Sequence, residues 1–489
     1  MSTEVAPATQ GHSLADQPKV FGLFSMVLFS VSAVLVADTV ATSAAIGVQG
    51  ITFWIALAVL FFLPYGFVTA ELGSAWPDEG GIYVWVREAF GPFWGTMTAW
   101  FYWVNVAYWA PSVFVLFAGT LATVFWGSMS RFSAAIVVLV LIWVMVGIGV
   151  LPLWLGKWIP NLSAALKLIV LVGLGAIGVA FAFKHGLANS FALSQWKPTW
   201  GANYSFLPII IYSFMGFELM SSAGGAIKNP KRDIPKMVIF AGGVILFVYV
   251  FATFGILSSV KVANINIVTG IADALKISFD KVLGTSGTVK VFYDVVIVGL
   301  LFTFIGNMVT WSIGSNQSMA ATGLDKTAPG VFGHVNARFH TPDYAFLLMG
   351  VIASVLTIVN YALFSSNQSV FWTIFALSSI VLLFPYLLMF PALLVLRRKE
   401  PDKPRPYRVP WGTFGAWLWT ILCETGIVFT IVLFFYAVPE GTPKVTYWAI
   451  TGGGTIVSFI VGWWLYRHAR RTSSGAGADA HVIDSETAR

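Results

Sequence analysis

Hydrophobic residues in this chain fall into long unbroken runs instead of alternating with polar ones. About twelve runs can be drawn, near 20–48, 52–72, 93–125, 132–152, 161–184, 203–227, 235–259, 287–320, 343–363, 369–396, 411–437 and 445–466. A helix of about 20 apolar residues crosses the hydrocarbon core of a bilayer. Lipid leaves no partner for a free peptide group, so each such run must be helical. The pattern predicts an all-α integral membrane protein with about twelve transmembrane helices. One stretch, "VANINIVTGIADALKISFDKVLGTSGTVK", is too polar to insert and predicts a loop with a short surface helix.

Composition agrees. Of 489 residues 57% are hydrophobic and only 10% charged, and the mean hydropathy is +0.81; soluble domains carry about a quarter charged residues. The formal charge of +7 points to no nucleic-acid partner, because most of the basic residues sit in short loops between runs. Lys19, Arg87, Lys157, the knot "KNPKRDIPK", the stretch "RRKEPDKPRPYR" and Arg467–Arg471 all fall on one side when the chain is threaded. Basic loops stay cytoplasmic, so both termini are expected in the cytoplasm, in a plasma or inner membrane. The ends, residues 1–19 and 468–489, read as disordered tails, and 397–410 as a basic loop.

The single cysteine, Cys423, excludes an internal disulfide. All six histidines fall in loops or tails, so no metal centre or other cofactor is expected. An enzyme or receptor would need clustered His, Cys or Asp in the spans, or an extramembrane ligand domain, and the sequence has neither. A channel remains as an alternative.

Charge inside the hydrocarbon is costly and usually functional. Asp38, Lys167 and Glu218 read as deep; Glu71, Asp294 and Glu424 read as lying near span ends, where a structural contact is expected. Glu218 stands in "SFMGFELMSSAGGAIKNPKRDIPK" beside Gly216, and glycine weakens a helix interior. Transporters break helices near the midplane so that freed amides and carbonyls bind substrate or ions. "SSAGGA" reads as a packing face of small residues.

The segment "YSFMGFELMSSAGGAIKNPKRDIP" resembles the sixth span of the amino acid–polyamine–organocation superfamily. Ser213, Phe214, Gly216 and Glu218 keep the spacing of its arginine/agmatine antiporters, with Tyr212 where they carry Trp. "AELGSAWPDEGGIYVWVREAFGPFWG" is similar to the re-entrant region of the glutamate/GABA antiporters and the plant polyamine-uptake branch. "NLSAALKLIVL" resembles a fifth-span motif whose Lys, here Lys167, stands where sodium-coupled relatives bind a cation. Tyr102, Trp311 and "FPYLLMFPALLVLRRKEPD" also sit in family order, from about residue 20 to 410.

This resemblance implies a five-plus-five inverted-repeat transporter fold, with helices 1 and 6 broken. The core would span 20–396, as repeats of about 20–184 and 203–396, followed by two peripheral helices over 411–467. It implies a sodium-independent secondary transporter of amino acids or related amines, proton-coupled or exchanging, with polyamines or biogenic amines as the alternative cargo. Substrate contacts are expected from Val36, Ala37, Asp38 and Thr39 in the first break and from Ser213, Phe214, Met215, Gly216 and Phe217 in the second. Tyr102, Tyr212 and Trp311 are expected to gate, and Lys167 and Glu218 to couple transport to protons. The first break differs from that of the arginine/agmatine antiporters in having no glycine between Gly22 and Gly47. It forms a poorer amide nest for a carboxylate, while Asp38 offers a partner for an amine.

Overall fold

The computed structural model describes residues 19–78, 80–199, 206–363, 367–436, 438 and 443–487, with the backbone alone for Asp38, Asn367, Gln368 and 473–487. The predicted runs become helices with small shifts of boundary. The first span is two pieces, α1 (Leu23–Val34) and α2 (Ala37–Ala44). The second is α3 (Gln49–Ala75), interrupted by a π-turn at Ala58–Phe62. A short helix, α4 (Ile82–Phe90), precedes α5 (Pro92–Trp126), α6 (Arg131–Val150) and α7 (Trp158–His185). The sixth span is again split, into α8 (Pro208–Ser213) and a 3-10 segment, Phe217–Ala226. Then follow α9 (Pro230–Ser259), the surface helix α10 (Gly270–Val282), α11 (Gly287–Leu324), α12 (Asp343–Leu363), α13 (Asn367–Lys399), α14 (Gly412–Tyr436) and α15 (Lys444–Thr487).

Among the described residues eleven helices are long and apolar enough to cross a membrane, and α1 with α2 makes the twelfth span from two short pieces. Lipid supplies no hydrophobic force between helices, so they associate through close packing of small residues. A Cβ on Gly178 of α7 would lie 2.6 Å from the Cα of Gly255 in α9, so these helices meet backbone to backbone. The widest helix contact joins α5 to α13, and the two broken spans lie within the surrounding helices. "SSAGGA" is a packing face: Gly80 N donates to Ser222 O at 3.0 Å, and a Cβ on Gly81 would meet the Ser222 nitrogen at 2.7 Å.

Two expectations need correction. Glu424 lies at the middle of α14, not near its end. Its Oε1 is buried without a hydrogen-bond partner among the described residues. The bounds of its apolar run, 411–437, already put residue 424 at the middle. The backbone of α15 also continues as helix to Thr487, past residue 468 where a disordered tail was expected. The first eighteen residues, read as a tail, lie outside the described residues.

Candidate functional site

The second break is built around Gly216. Its φ is +122°, in the left-handed region that favours glycine. A Cβ there would meet Trp311 at 3.0 Å and Val34 at 3.2 Å, so both conformation and space demand glycine. The first break, at Leu35–Val36, contains no glycine; both residues are in extended conformation, which any residue adopts.

The two breaks face each other. A helix leaves its last carbonyls unpaired and carries partial negative charge there. Val34 ends α1 and Ser213 ends α8, and both their carbonyls converge on one hydroxyl, that of Tyr249 in α9. The hydroxyl lies 2.5 Å from Val34 O and 3.0 Å from Ser213 O, and it accepts from Val36 N at 2.7 Å. A tyrosine has one proton to give, so it serves one of the two carbonyls at a time. Tyr249 is held by stacking on Trp54, 4.2 Å between ring centroids.

The other free carbonyls of α1 are taken by different spans. Trp311 Nε1 of α11 donates to Ala33 O at 2.9 Å. Lys167 Nζ of α7 donates to Ser32 O at 2.6 Å and to Asn307 Oδ1 at 2.8 Å. Three successive carbonyls thus go to α7, α11 and α9. Lys167 is buried and bridges the first and eighth spans.

Glu218 is fully buried, and three tyrosines from three spans surround it. Tyr102 (α5) and Tyr386 (α13) donate to its Oε1 at 2.5 and 2.6 Å, and Tyr65 (α3) donates to Oε2. Tyr65 in turn accepts from the amides of Gly216 and Phe217 at 3.0 and 2.9 Å. The carboxylate and the broken backbone are therefore one network.

The remaining expected residues divide. Thr39 and Ser213 meet across the breaks, hydroxyl to hydroxyl at 2.8 Å. Phe214 and Phe217 both stack on Phe62, at 4.2 and 4.7 Å. Tyr212 and Trp311 pack edge-on against Trp109, at 5.6 and 5.5 Å. Ala37 lines a separate small cavity with Ala41, Leu116 and Thr269. Met215 is buried. Asp38 is the second residue of α2, and its side chain lies outside the described residues. Tyr65, Tyr249 and Tyr386 were missed. The signal available was a lone tyrosine inside an apolar run, whose hydroxyl must find a protein partner there.

On the basic face, polar contacts tie the ends of several spans together. Phe21 N donates to Ala226 O at 3.0 Å and Lys228 N to Phe21 O at 2.9 Å, tying the chain ahead of α1 to the end of the sixth span. The buried Glu71 carboxylate at the end of α3 takes Arg397 Nε and Nη2 at 2.7 and 2.6 Å and Val409 N at 2.7 Å. Tyr83 and Arg87 of α4 both bond Asp325 at the end of α11, Tyr83 at 2.7 Å. Burial pushes the Tyr83 hydroxyl up to about 12, so it stays a donor at ordinary pH.

Residues 21–456 match the amino acid permease family. The chain belongs to that family. It is a membrane transporter and not an enzyme. This permease is 34% identical over 420 residues, 86% of its length and 88% of the relative's, to the probable agmatine/putrescine antiporter AguD of Lactococcus lactis. It is 24% identical over 370 residues, 74% of its length and 64% of the relative's, to the polyamine transporter PUT1 of rice. Its fold matches that of a manganese transporter from Eremococcus coleocola, with a TM-score of 0.60 at 13% identity, covering 96% and 98% of the two chains. The expected transporter fold with discontinuous first and sixth spans is the fold of this chain.

Proposed function

We propose that this permease exchanges amino acids or related amines by alternating access, without sodium, and that cationic amines are its preferred cargo. The observation that carries this reading is the convergence of Val34 O and Ser213 O on one point. Two helix C-termini meeting there favour a positive group. An ammonium offers three protons where Tyr249 offers one. The backbone of Asp38 stands in the first turn of α2, beside the same break. The names of the lactococcal and rice relatives, which specify agmatine, putrescine and polyamines, support an amine over a zwitterion.

In this reading Lys167 holds the place of a coupling cation, and Glu218 accepts and releases the coupling proton. Phe214, Tyr212 and Trp311 line or occlude the substrate stem. The breaks belong to two repeats, about 20–184 and 203–396, and the basic face is cytoplasmic, in a plasma or inner membrane.

The test is ligand-dependent thermal stabilisation of the purified protein and of Asp38→Asn with putrescine, agmatine, arginine and glutamate. Putrescine or agmatine should stabilise the wild type most, and Asp38→Asn should lose that effect, because a charge-assisted bond in a dry site is lost. Stabilisation by glutamate alone, unaffected by Asp38→Asn, contradicts the amine reading.

A further inference from the structure

The spans α3 and α9 do not close on each other along their outer side. Between them runs an apolar groove with a volume of about 330 Å³. Its α9 wall is Pro235, Val238, Ile239, Gly242, Gly243 and Leu246, an i, i+3/i+4 stripe on one helix face. From Pro235 to Leu246 that stripe is about 16 Å long at the helical rise. Small residues make the space: a Cβ built on Gly243 meets no atom within 4 Å. Exposed Val59, Leu63 and Ile239 form its rim, so it opens toward the hydrocarbon. Its floor is Phe62 and Phe217, and Phe217 follows Gly216 at the second helix break.

One end of the groove is charged. Tyr407 closes it, and the next residue, Arg408, is exposed. On α9 the exposed Lys236 follows Pro235, and exposed Lys231 and Arg232 lie four and three residues before it, on the face that continues the stripe. Arg232 approaches Asp233 at 3.9 Å, which leaves the lysines as the more available cations. An apolar slot as long as a lipid tail, ending in basic side chains at the membrane surface, matches a phospholipid with a negative head.

We propose that this groove binds one acyl chain of an anionic phospholipid, with its phosphate on Lys231, Lys236 and Arg408 and its tail against Phe217. A tail gains little by leaving lipid for an apolar groove. Selection must therefore come from the basic end, where each Lys or Arg near the surface attracts anionic lipid. The bound tail packs on the outer wall of the sixth span, so the lipid becomes a structural neighbour of the transport site. This inference is independent of the cargo.

The experiment is native mass spectrometry of the full chain released from nanodiscs of mixed phosphatidylglycerol and phosphatidylcholine. The wild type should retain one lipid, with a preference of about tenfold or more for phosphatidylglycerol. Gly243→Leu fills the groove from a position with open space and should abolish retention. Lys231→Gln with Lys236→Gln and Arg408→Gln should keep a lipid but lose the preference. Equal retention of both lipids by the wild type, or undiminished retention by folded Gly243→Leu, overturns the proposal. Photo-crosslinking of the wild type with a tail-diazirine phosphatidylglycerol reads the site without any variant. Labelling at Phe62 and Phe217 supports the site, and labelling confined to other faces contradicts it.

Discussion

The Lys167 ammonium lies 2.6 Å from the carbonyl oxygen of Ser32, one residue before the carbonyl that Trp311 takes and two before the one that Tyr249 takes. A lysine from the fifth span therefore closes the broken end of the first. With Asn307 as its second partner it also ties in the eighth span.

A built-in cation makes an added one unnecessary. Transport should proceed unchanged when sodium is replaced by choline. Lys167→Gln loses charge-assisted bonds worth about 1.5–3 kcal/mol each, so exchange should fall more than about tenfold while the protein stays inserted. Initial rates in liposomes with and without sodium check both statements. A sodium requirement in the wild type would refute the role given to Lys167.

Glu218 receives three tyrosine hydroxyls and shares Tyr65 with the backbone of the break. A proton gained or lost there changes what Tyr65 can offer to Gly216 and Phe217. Exchange by the wild type should vary with pH, and Glu218→Gln should keep substrate binding but show a nearly flat profile. A shift of about 1.4 kcal/mol is enough to move a two-state population tenfold. An unchanged profile in the folded variant would leave Glu218 a structural acceptor only.

Tyr249→Phe removes the one hydroxyl that serves Val36 N, Val34 O and Ser213 O. Orphaning a buried polar group costs about 1–3 kcal/mol, so the variant should melt earlier than the wild type. Its amine affinity should change while its affinity for inhibitors lacking an amine does not. A melting point and affinity equal to wild type would place the hydroxyl outside the site.

The Glu71 carboxylate is buried with Arg397 as a two-bond partner. Removing one partner of such a pair costs about 3–5 kcal/mol, more than removing both. The side chain of Arg405, also buried, lies 3.5 Å from Glu71, so Glu71→Met leaves two cations without their carboxylate and should be less stable than Arg397→Met, as thermal melting in detergent can read.

Much of this was legible in the sequence, and the limits have physical reasons. Apolar runs locate spans because lipid forces every such run into a helix. Glu218 marked the second break because a charge is anomalous in a span, and Gly216 beside it because glycine weakens a helix interior. The first break carries no glycine, so only its likeness to related chains pointed to Val36. Tyr65, Tyr249 and Tyr386 were not legible as a set: they lie in three separate spans, at positions 65, 249 and 386, and only packing brings them to one carboxylate and one pair of carbonyls. Glu424 was legible and misread, since the run 411–437 already has residue 424 at its midpoint.

The central claim is exchange of amines through the paired helix breaks. It is tested most directly by uptake of labelled putrescine into sodium-free liposomes containing the purified protein, with and without unlabelled agmatine or putrescine inside. The account predicts uptake that is strongly stimulated by internal amine, competed by external amine and abolished by Asp38→Asn. Uptake indifferent to internal and external amine, or flux that does not saturate, would contradict it and point to a channel or to a different cargo.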